Sequence, residues 1–271
     1  MTRTVLMTGA SGNIGTKLRA HFASLGWALR LLDINGCGDA AIQVADLAEW
    51  DDAWVAQFAG VDTVIHLAGD PSPRASWASV QRLNIDLTAN VYQAAVARGV
   101  RRVVFASSNW VMAGHRVDEG ELTTDMEPYP INPYGVSKLV GERMGRSAHV
   151  HHGLSVICFR IGYLQRGDNL PGTHMGWSVW GQAMWLSNRD LCQAMEQAVL
   201  ADGVGFAVLN LMSANPGMRW DIEATKCTIG YGPRDGSAPV LTETIMRDER
   251  NAIETRGMAE RLDRLSMERR W

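Results

Sequence analysis

"TGASGNIG", residues 8–15, decides the fold. It lies between a short apolar run, "TRTVLMTG" at 2–9, and a stretch with Ile14, Leu18, Phe22 and Leu25 at helical spacing. Gly9, Gly12 and Gly15 permit a tight turn and a close backbone approach, and a helix starting here offers unpaired N–H groups to an anion. A glycine triplet alone is only a turn. Preceded by a strand and followed by a helix, it suits a dinucleotide pyrophosphate.

Reading outward, "ALRLLD" at 28–33 is a second strand whose last residue, Asp33, stands 24 positions after Gly9. A carboxylate there accepts both hydroxyls of an adenosine ribose and repels a 2′-phosphate, and no arginine follows in "DIN". The cofactor expected is therefore NAD, not NADP. "AIQVADL" at 41–47 is a third strand, with Asp46 at its end where an adenine edge would lie.

The alternation continues. "EWDDAWVAQFAG" is a helix ending at Gly60, and "VDTVIHLAG" a strand in which His66 has apolar neighbours and packs at the strand end. Residues 77–99 form a long helix closed by Gly99, "VRRVVFASS" is a strand, and residues 133–148 are helical. "LSVICFRIG", "SNRDLCQAMEQAVLADG" and "GFAVLNLMSA" add a strand, a helix and a strand. Strands separated by helices imply an α/β fold with a doubly wound parallel sheet. Residues 1–161 read as the dinucleotide-binding core. Residues 162–271 supply the remaining sheet elements, a small C-terminal substrate lobe and a helical tail, all within one compact unit. No internal repeat or low-complexity segment interrupts it.

Bulk properties exclude several function classes. A chain of 271 residues, 46% hydrophobic, can bury a full core. A net charge of −3 and a pI near 6.2 recruit neither nucleic acid nor an anionic membrane. The longest uncharged stretch is broken by Pro171, Gly172, Gly176 and Gly181, so no spanning helix is expected. Cys37, Cys158, Cys192 and Cys227 lie far apart without a Cys-x-x-Cys, as reduced thiols of a cytoplasmic protein would. His149, His151 and His152 crowd a helix end before Gly153, where imidazoles meet the helix dipole; their spacing matches no standard metal site, and no metal is expected.

"NPYGVSK", residues 132–138, carries the chemistry. Asn132 is a good N-cap and Pro133 a good first helical residue, which puts Tyr134 in the first turn and Lys138 one turn on, on the same face. With five tyrosines and three lysines in the chain, a chance Tyr-x-x-x-Lys has odds of about one in twenty. An ammonium ~4 Å from the phenol, at an effective dielectric near 20, would favour phenolate by about 4 kcal/mol and bring a general base toward neutrality. "FASSN" at 105–109 ends its strand with Ser108, placed to share the same substrate oxygen.

Glycine turn, acidic ribose contact, strand-end serine and Tyr-x-x-x-Lys occur in the order of one site. Over about residues 3–236 the chain resembles the extended short-chain dehydrogenase/reductase (NAD-dependent epimerase/dehydratase) family. The stretches "VVFASSN", "YGVSK", "RIG" and "WLSNRDL" look most like those of uronate dehydrogenases. The resemblance implies oxidation of a C1 hydroxyl of a cyclic hexuronate or related free sugar with NAD, giving a lactone. It implies cofactor contacts at Gly9, Gly12, Asn13, Ile14, Gly15, Asp33, Asp46, Leu47, Leu67, Ala68, Asn84, Ser107 and Ile161, joined by Tyr134 and Lys138. Chemistry falls to Ser108, Tyr134 and Lys138, and substrate contact to Ser72, Ser108, Asn109 and Tyr134.

The departures lie on the substrate side. The family's histidine after Ser-Asn is Trp110, the serine after "RIG" is Tyr163, and the arginine that clamps the uronate carboxylate has no clear counterpart; Arg166 and Arg219 are the candidates by charge. Residues 162–186 follow a strand end and hold Tyr163, Arg166, Asp168, Trp177, Trp180 and Trp185. They are expected to form the substrate wall, with residues 213–236 as a second candidate.

An epimerase or dehydratase that returns the hydride is the alternative. Dehydratases of this superfamily place carboxylates where this chain has Asn109-Trp110. The partner expected is a small sugar. Self-association is left open, since the tail face of Met258, Leu262 and Leu265 could pack on its own domain, on a second subunit or on nothing.

Overall fold

A computed structural model describes the backbone of residues 3–267 and the side chains of residues 3–255. The tail face of Met258, Leu262 and Leu265 lies outside the described side chains.

Seven parallel strands form one sheet among the described residues: β1 (Thr4–Thr8), β2 (Ala28–Asp33), β3 (Ile42–Val44), β4 (Thr63–His66), β5 (Arg102–Ser108), β6 (Ser155–Ile161) and β7 (Phe206–Leu211). Their order is β3-β2-β1-β4-β5-β6-β7. This is the doubly wound arrangement expected from the alternation. The order reverses between β1 and β4, and the crevice outside the carboxyl ends at that point is where such sheets take a ligand. Residues on both sides of position 161 share the sheet, because β7 pairs with β6 from Val156↔Phe206 to Ile161↔Leu211.

The helices are α1 (Asn13–Ser24), α2 (Asp52–Val55), α3 (Trp77–Val80), α4 (Leu87–Ala97), α5 (Pro133–His152), α6 (Ser178–Ala183), α7 (Asn188–Leu200), α8 (Glu223–Ile229) and α9 (Glu243–Met267). They cover both faces. On one, Met7, Ile65, Val104 and Phe159 pack with Leu18 and Phe22 of α1 and Leu191 and Met195 of α7. On the other, Leu6, Val64, Phe105 and Val156 pack with Trp54 of α2 and Val91 and Tyr92 of α4. Neighbouring strand residues thus go to opposite faces, and all seven residues of β5 are buried. Leu122, Trp180, Met184, Met212 and Trp220 form a third, smaller cluster beyond the sheet ends.

Two elements differ from expectation. The third strand covers only Ile42–Val44. The long helix is interrupted by a π-helical stretch, Gln81–Asp86, between α3 and α4. That stretch turns Asn84 into the interior, where its amide bonds Asp70 and Ser137. The α5 boundaries follow from its ends. Asn132 Oδ1 accepts from Gly135 N at 2.7 Å, and Gly153 closes the helix in the left-handed region at φ 68°. No described helix is long and apolar enough to cross a membrane.

Candidate active site

One cavity of about 910 Å³ runs across the carboxyl ends of β1, β2, β4, β5 and β6. It gathers Gly9, Gly12, Asn13, Ile14, Gly15, Asp33, Asp46, Leu47, Leu67, Ala68, Ser107 and Ile161 at one end and along its floor. Ser72, Ser108, Asn109, Tyr134, Lys138, Tyr163 and Arg166 line it as well. Asn84 does not. It is 2% exposed and sits behind the wall, holding the loop at Asp70 to Ser137 of α5.

The glycine turn explains why its end of the cavity stays open. Gly9 has φ +68°, and a Cβ there would lie 2.7 Å from Ala68 N; at Gly15 it would lie 2.5 Å from Gly9 O. Gly12 caps α1 with extended backbone and no side-chain cap. The first N–H groups of α1 are therefore not blocked by a side chain.

Asp33 sits at the end of β2. Its Oδ2 accepts from Ser11 N and Ser11 Oγ, both at 2.8 Å, and its Oδ1 only from Asn35 N at 3.3 Å. A carboxylate held this way keeps acceptor capacity for ribose hydroxyls. Glycine turn, Asp33 and the cavity-facing Lys138 ammonium fit a dinucleotide.

At the other end, β5 delivers Ser108, and its hydroxyl accepts from Trp110 N at 3.2 Å, starting a 3₁₀ turn over Asn109–His115. The first turn of α5 brings Tyr134 alongside, near enough for the Ser108 hydroxyl to favour its phenolate. Lys138 follows one turn later, its Nζ 5.7 Å from the Tyr134 ring centroid and 5.2 Å from that of Phe105.

The electrostatics correct the expectation for this pair. Burial pushes the Tyr134 phenol above its ordinary value, Ser108 offsets part of that, and the charge of Asp70 adds to it. Lys138 is itself lowered to about 8 by burial. Desolvation is thus the largest effect on both groups of the pair. His66 is buried between Thr8 Oγ1 (2.7 Å) and Thr88 Oγ1 (3.0 Å) and driven down to about 3, chiefly by burial and further by Lys138. It is a neutral packing residue.

Behind these groups lies a buried network. Ser107 Oγ donates to Glu142 Oε1 at 2.6 Å, and Glu142 also takes Arg160 of β6. It ties α5 to the strands that carry Ser108 and Ile161.

The substrate side is where placement departs most from expectation. Of residues 162–186, Gly162, Tyr163, Leu164, Gln165, Arg166, Trp177 and Met184 line the cavity. Trp180 packs against Trp220 with ring centroids 4.3 Å apart and planes tilted by 55° in the third cluster, and Trp185 is buried with its Nε1 on Asn169 O at 2.9 Å. Both are core. Asp168 does not line the cavity, and neither does any described residue of 213–236. Arg219 gives its Nε and Nη1 to the carbonyls of Gly120, His115 and Arg116, while its Nη2 is buried without a partner, and it does not line the cavity.

Trp177 and Trp110 meet edge to face at 4.9 Å and wall the cavity together. The Arg116 guanidinium lies 5.9 Å from the Trp177 ring centroid and pairs with Glu249 of α9 at 3.2 Å. Trp177 has φ 71° and Ser178 φ 53°, a left-handed entry to α6 that is rare for bulky residues.

Sequence reasoning missed Ser11 and Arg74. Ser11 was within reach, as the hydroxyl residue inside the glycine turn. Arg74 carries no local signal. Its loop is set by Asn132 Nδ2 on Pro73 O at 3.0 Å and by Ser72, whose N–H donates to Asp70 and whose Oγ accepts from Arg74 N. No group of three or more His, Cys, Asp or Glu side chains among the described residues could hold a metal.

Comparison with known proteins agrees with this geometry. The pattern of the "NAD dependent epimerase/dehydratase family" matches residues 5–164. The chain is 36% identical to an NAD-dependent glucose-6-phosphate dehydrogenase of Haloferax volcanii, over 92% of this chain and 100% of that one. It is 35% identical to an L-arabinose 1-dehydrogenase (NAD(P)(+)) of the same organism, over 88% and 98%. Among solved structures, a mutant uronate dehydrogenase from Agrobacterium tumefaciens complexed with NAD superposes with a TM-score of 0.75 at 29% identity, covering 87% of this chain and 86% of that one.

Proposed function

The chain belongs to the NAD dependent epimerase/dehydratase family, and we propose that it is an NAD-dependent dehydrogenase oxidising the C1 hydroxyl of a cyclic free sugar or sugar acid, such as a hexuronate, to a lactone. One observation carries the reading: Ser108, Tyr134 and Lys138 line the cavity whose far end is the glycine turn and Asp33. The relatives named as sugar dehydrogenases support it.

NAD, when bound, supplies the hydride acceptor. Gly9, Gly12, Asn13 and Ile14 would hold its phosphates, Asp33 its adenosine ribose, Asp46 and Leu47 its adenine, and Lys138 its nicotinamide ribose. The chain's own task at the reacting carbon is proton transfer. Tyr134 Oη takes the proton of the C1 hydroxyl, and the Ser108 hydroxyl donates to the same oxygen and keeps it facing Tyr134. Leu67, Ala68, Ser107 and Ile161 line the same cavity and would wall the nicotinamide.

Asn109 has an orphaned acceptor. Its Nδ2 donates to Ile161 O at 2.9 Å, while its buried Oδ1 has no hydrogen-bond partner. A sugar hydroxyl satisfies it at the cost of no existing bond. Ser72 and Tyr163 offer further hydroxyls, and the Trp110–Trp177 corner an apolar surface for the ring faces. A substrate carboxylate meets Arg74, whose loop is tied to the N-cap of the catalytic helix. The free cysteines support a cytoplasmic setting.

The test is a panel of aldoses, uronates, sugar phosphates and polyols, read as NADH formation at 340 nm with NADP in parallel. Sustained NADH formation on an aldose or uronate is expected. Conversion of a sugar with no net NADH would instead make the protein an epimerase or dehydratase.

A further inference from the structure

Two arginines, Arg74 and Arg166, line the cavity, and the guanidinium of neither makes a hydrogen bond or ion pair among the described residues. Charge alone made Arg166 a candidate for the substrate. What its segment is fastened to says otherwise.

The chain leaving β6 is stapled to the first turns of α1. Asn13 Nδ2 donates to Leu164 O at 3.3 Å. Lys17 Nζ donates to Asn13 Oδ1 at 2.9 Å, to Gln165 O at 3.3 Å and to Gly167 O at 3.5 Å. The residues on either side of Arg166 are thus held by one ammonium of α1. Gln165 N adds a bond to Asn169 Oδ1 at 2.8 Å, which closes the turn. Arg74, by contrast, stands in a loop pinned to Asn132, beside Tyr134.

Charge at this corner is unbalanced. Burial lowers the Lys17 ammonium below its ordinary value, Cys192 opposes that, and the neighbouring Arg166 lowers it further by the smallest amount. No acidic residue occupies the first turn of α1. The N-terminus of α1, which has no side-chain cap, and the chain that carries Arg166 line the same cavity, while the Lys17 ammonium is taken up by Asn13, Gln165 and Gly167; a helix N-terminus beside a free guanidinium favours an anion.

We infer that Arg166, held beside the N-terminal turns of α1, is a residue that would bind the cofactor's pyrophosphate, and is not a ligand of the substrate. The inference rests on the NAD reading above. It also accounts for the substrate wall being left with Tyr163, Trp177 and Met184 as the segment's contribution.

Binding separates the possibilities without turnover. The full-length chain and its Arg166→Ala variant are titrated with NADH, ADP-ribose and adenosine, and the KM for the sugar is measured at saturating NAD. The expected result is an affinity about tenfold lower for NADH and ADP-ribose, about 1.4 kcal/mol, with adenosine affinity and sugar KM unchanged. Arg166→Lys should recover part of the loss, because a point charge still reaches the phosphates.

Unchanged NADH affinity with a raised sugar KM would return Arg166 to the substrate and overturn the inference. Equal losses on all three ligands would also overturn it, by pointing to a deformed site. If the unaltered chain binds neither NADH nor ADP-ribose, the dinucleotide reading itself fails, and this inference with it.

Discussion

Glu142 and Arg160 face each other as a bidentate pair, Nε to Oε1 at 3.0 Å and Nη2 to Oε2 at 2.9 Å, with 3% of each side chain exposed. The pair welds α5 to β6 one turn below Lys138. Removing one partner strands a buried charge, so Glu142→Ala should lose ~3–5 kcal/mol of stability. Replacing both by leucine should recover much of it, since an apolar pair of similar volume carries no desolvation cost. Denaturant titrations of the single and double variants decide this. A single variant as stable as the parent would mean the pair is not what holds α5.

Tyr134 is expected to be the proton acceptor. Tyr134→Phe keeps the ring and its packing and removes only the hydroxyl, so kcat should fall ~10²–10⁴-fold while NADH still binds. Because burial holds the phenol above its ordinary value, sugar oxidation by the parent should accelerate as pH rises into the alkaline range, where the base form accumulates. Stopped-flow or steady-state rates across pH check both. A Phe variant with more than a tenth of parental kcat would remove Tyr134 from this role.

Lys138 offers a stability test with a defined sign. Its proton leaves near 8 in the fold, against 10.5 in an unfolded chain. Between those values the unfolded chain holds the extra proton, so stability rises with pH across that window; below pH 8 the buried ammonium costs the fold roughly 3 kcal/mol. Without added cofactor, Lys138→Met should therefore be more stable than the parent at pH 7, with the gap closing toward pH 10.5. Thermal melts at several pH values measure it. A variant less stable than the parent at pH 7 contradicts this account.

Asp33 should set cofactor choice. The ratio of kcat/KM for NAD over NADP is expected to be large, because the carboxylate at the end of β2 repels a 2′-phosphate. Asp33→Asn removes that charge while retaining an acceptor for Ser11, whose N–H and hydroxyl both bond Asp33 at 2.8 Å. The ratio should narrow by tenfold or more, about 1.4 kcal/mol. Equal use of both cofactors by the parent would refute the claim.

Trp177 is held by Trp110 on one side and the Arg116 guanidinium on another. Trp177→Ala should raise the sugar KM about tenfold, with NADH affinity unchanged. Parental sugar kinetics in this variant would place the substrate against Arg74 and Asn109 alone.

The sequence by itself determined the sheet and its cofactor end. Short apolar runs ended by turn residues and apolar residues at helical spacing carried the alternation from β1 to β7. The glycine turn and Asp33 are legible because strand, turn and helix are local, with Asp33 only 24 positions after Gly9. Asn132-Pro133 likewise announced the start of α5, and with it the common face of Tyr134 and Lys138.

Only the tertiary structure decided the substrate side and the electrostatics. Residues 162–186 have no period, so nothing local shows that Trp180 and Trp185 turn into the core while Trp177 faces the cavity. Asn84 belonged to the cofactor by resemblance but lies behind the wall, drawn inward by the π-helical stretch. Arg219 is consumed by carbonyls about a hundred positions away. Arg166 is placed by bonds from Asn13 and Lys17, some 150 positions before it in the chain. The phenol of Tyr134 answers to burial, which the whole fold creates, before it answers to a lysine four residues on.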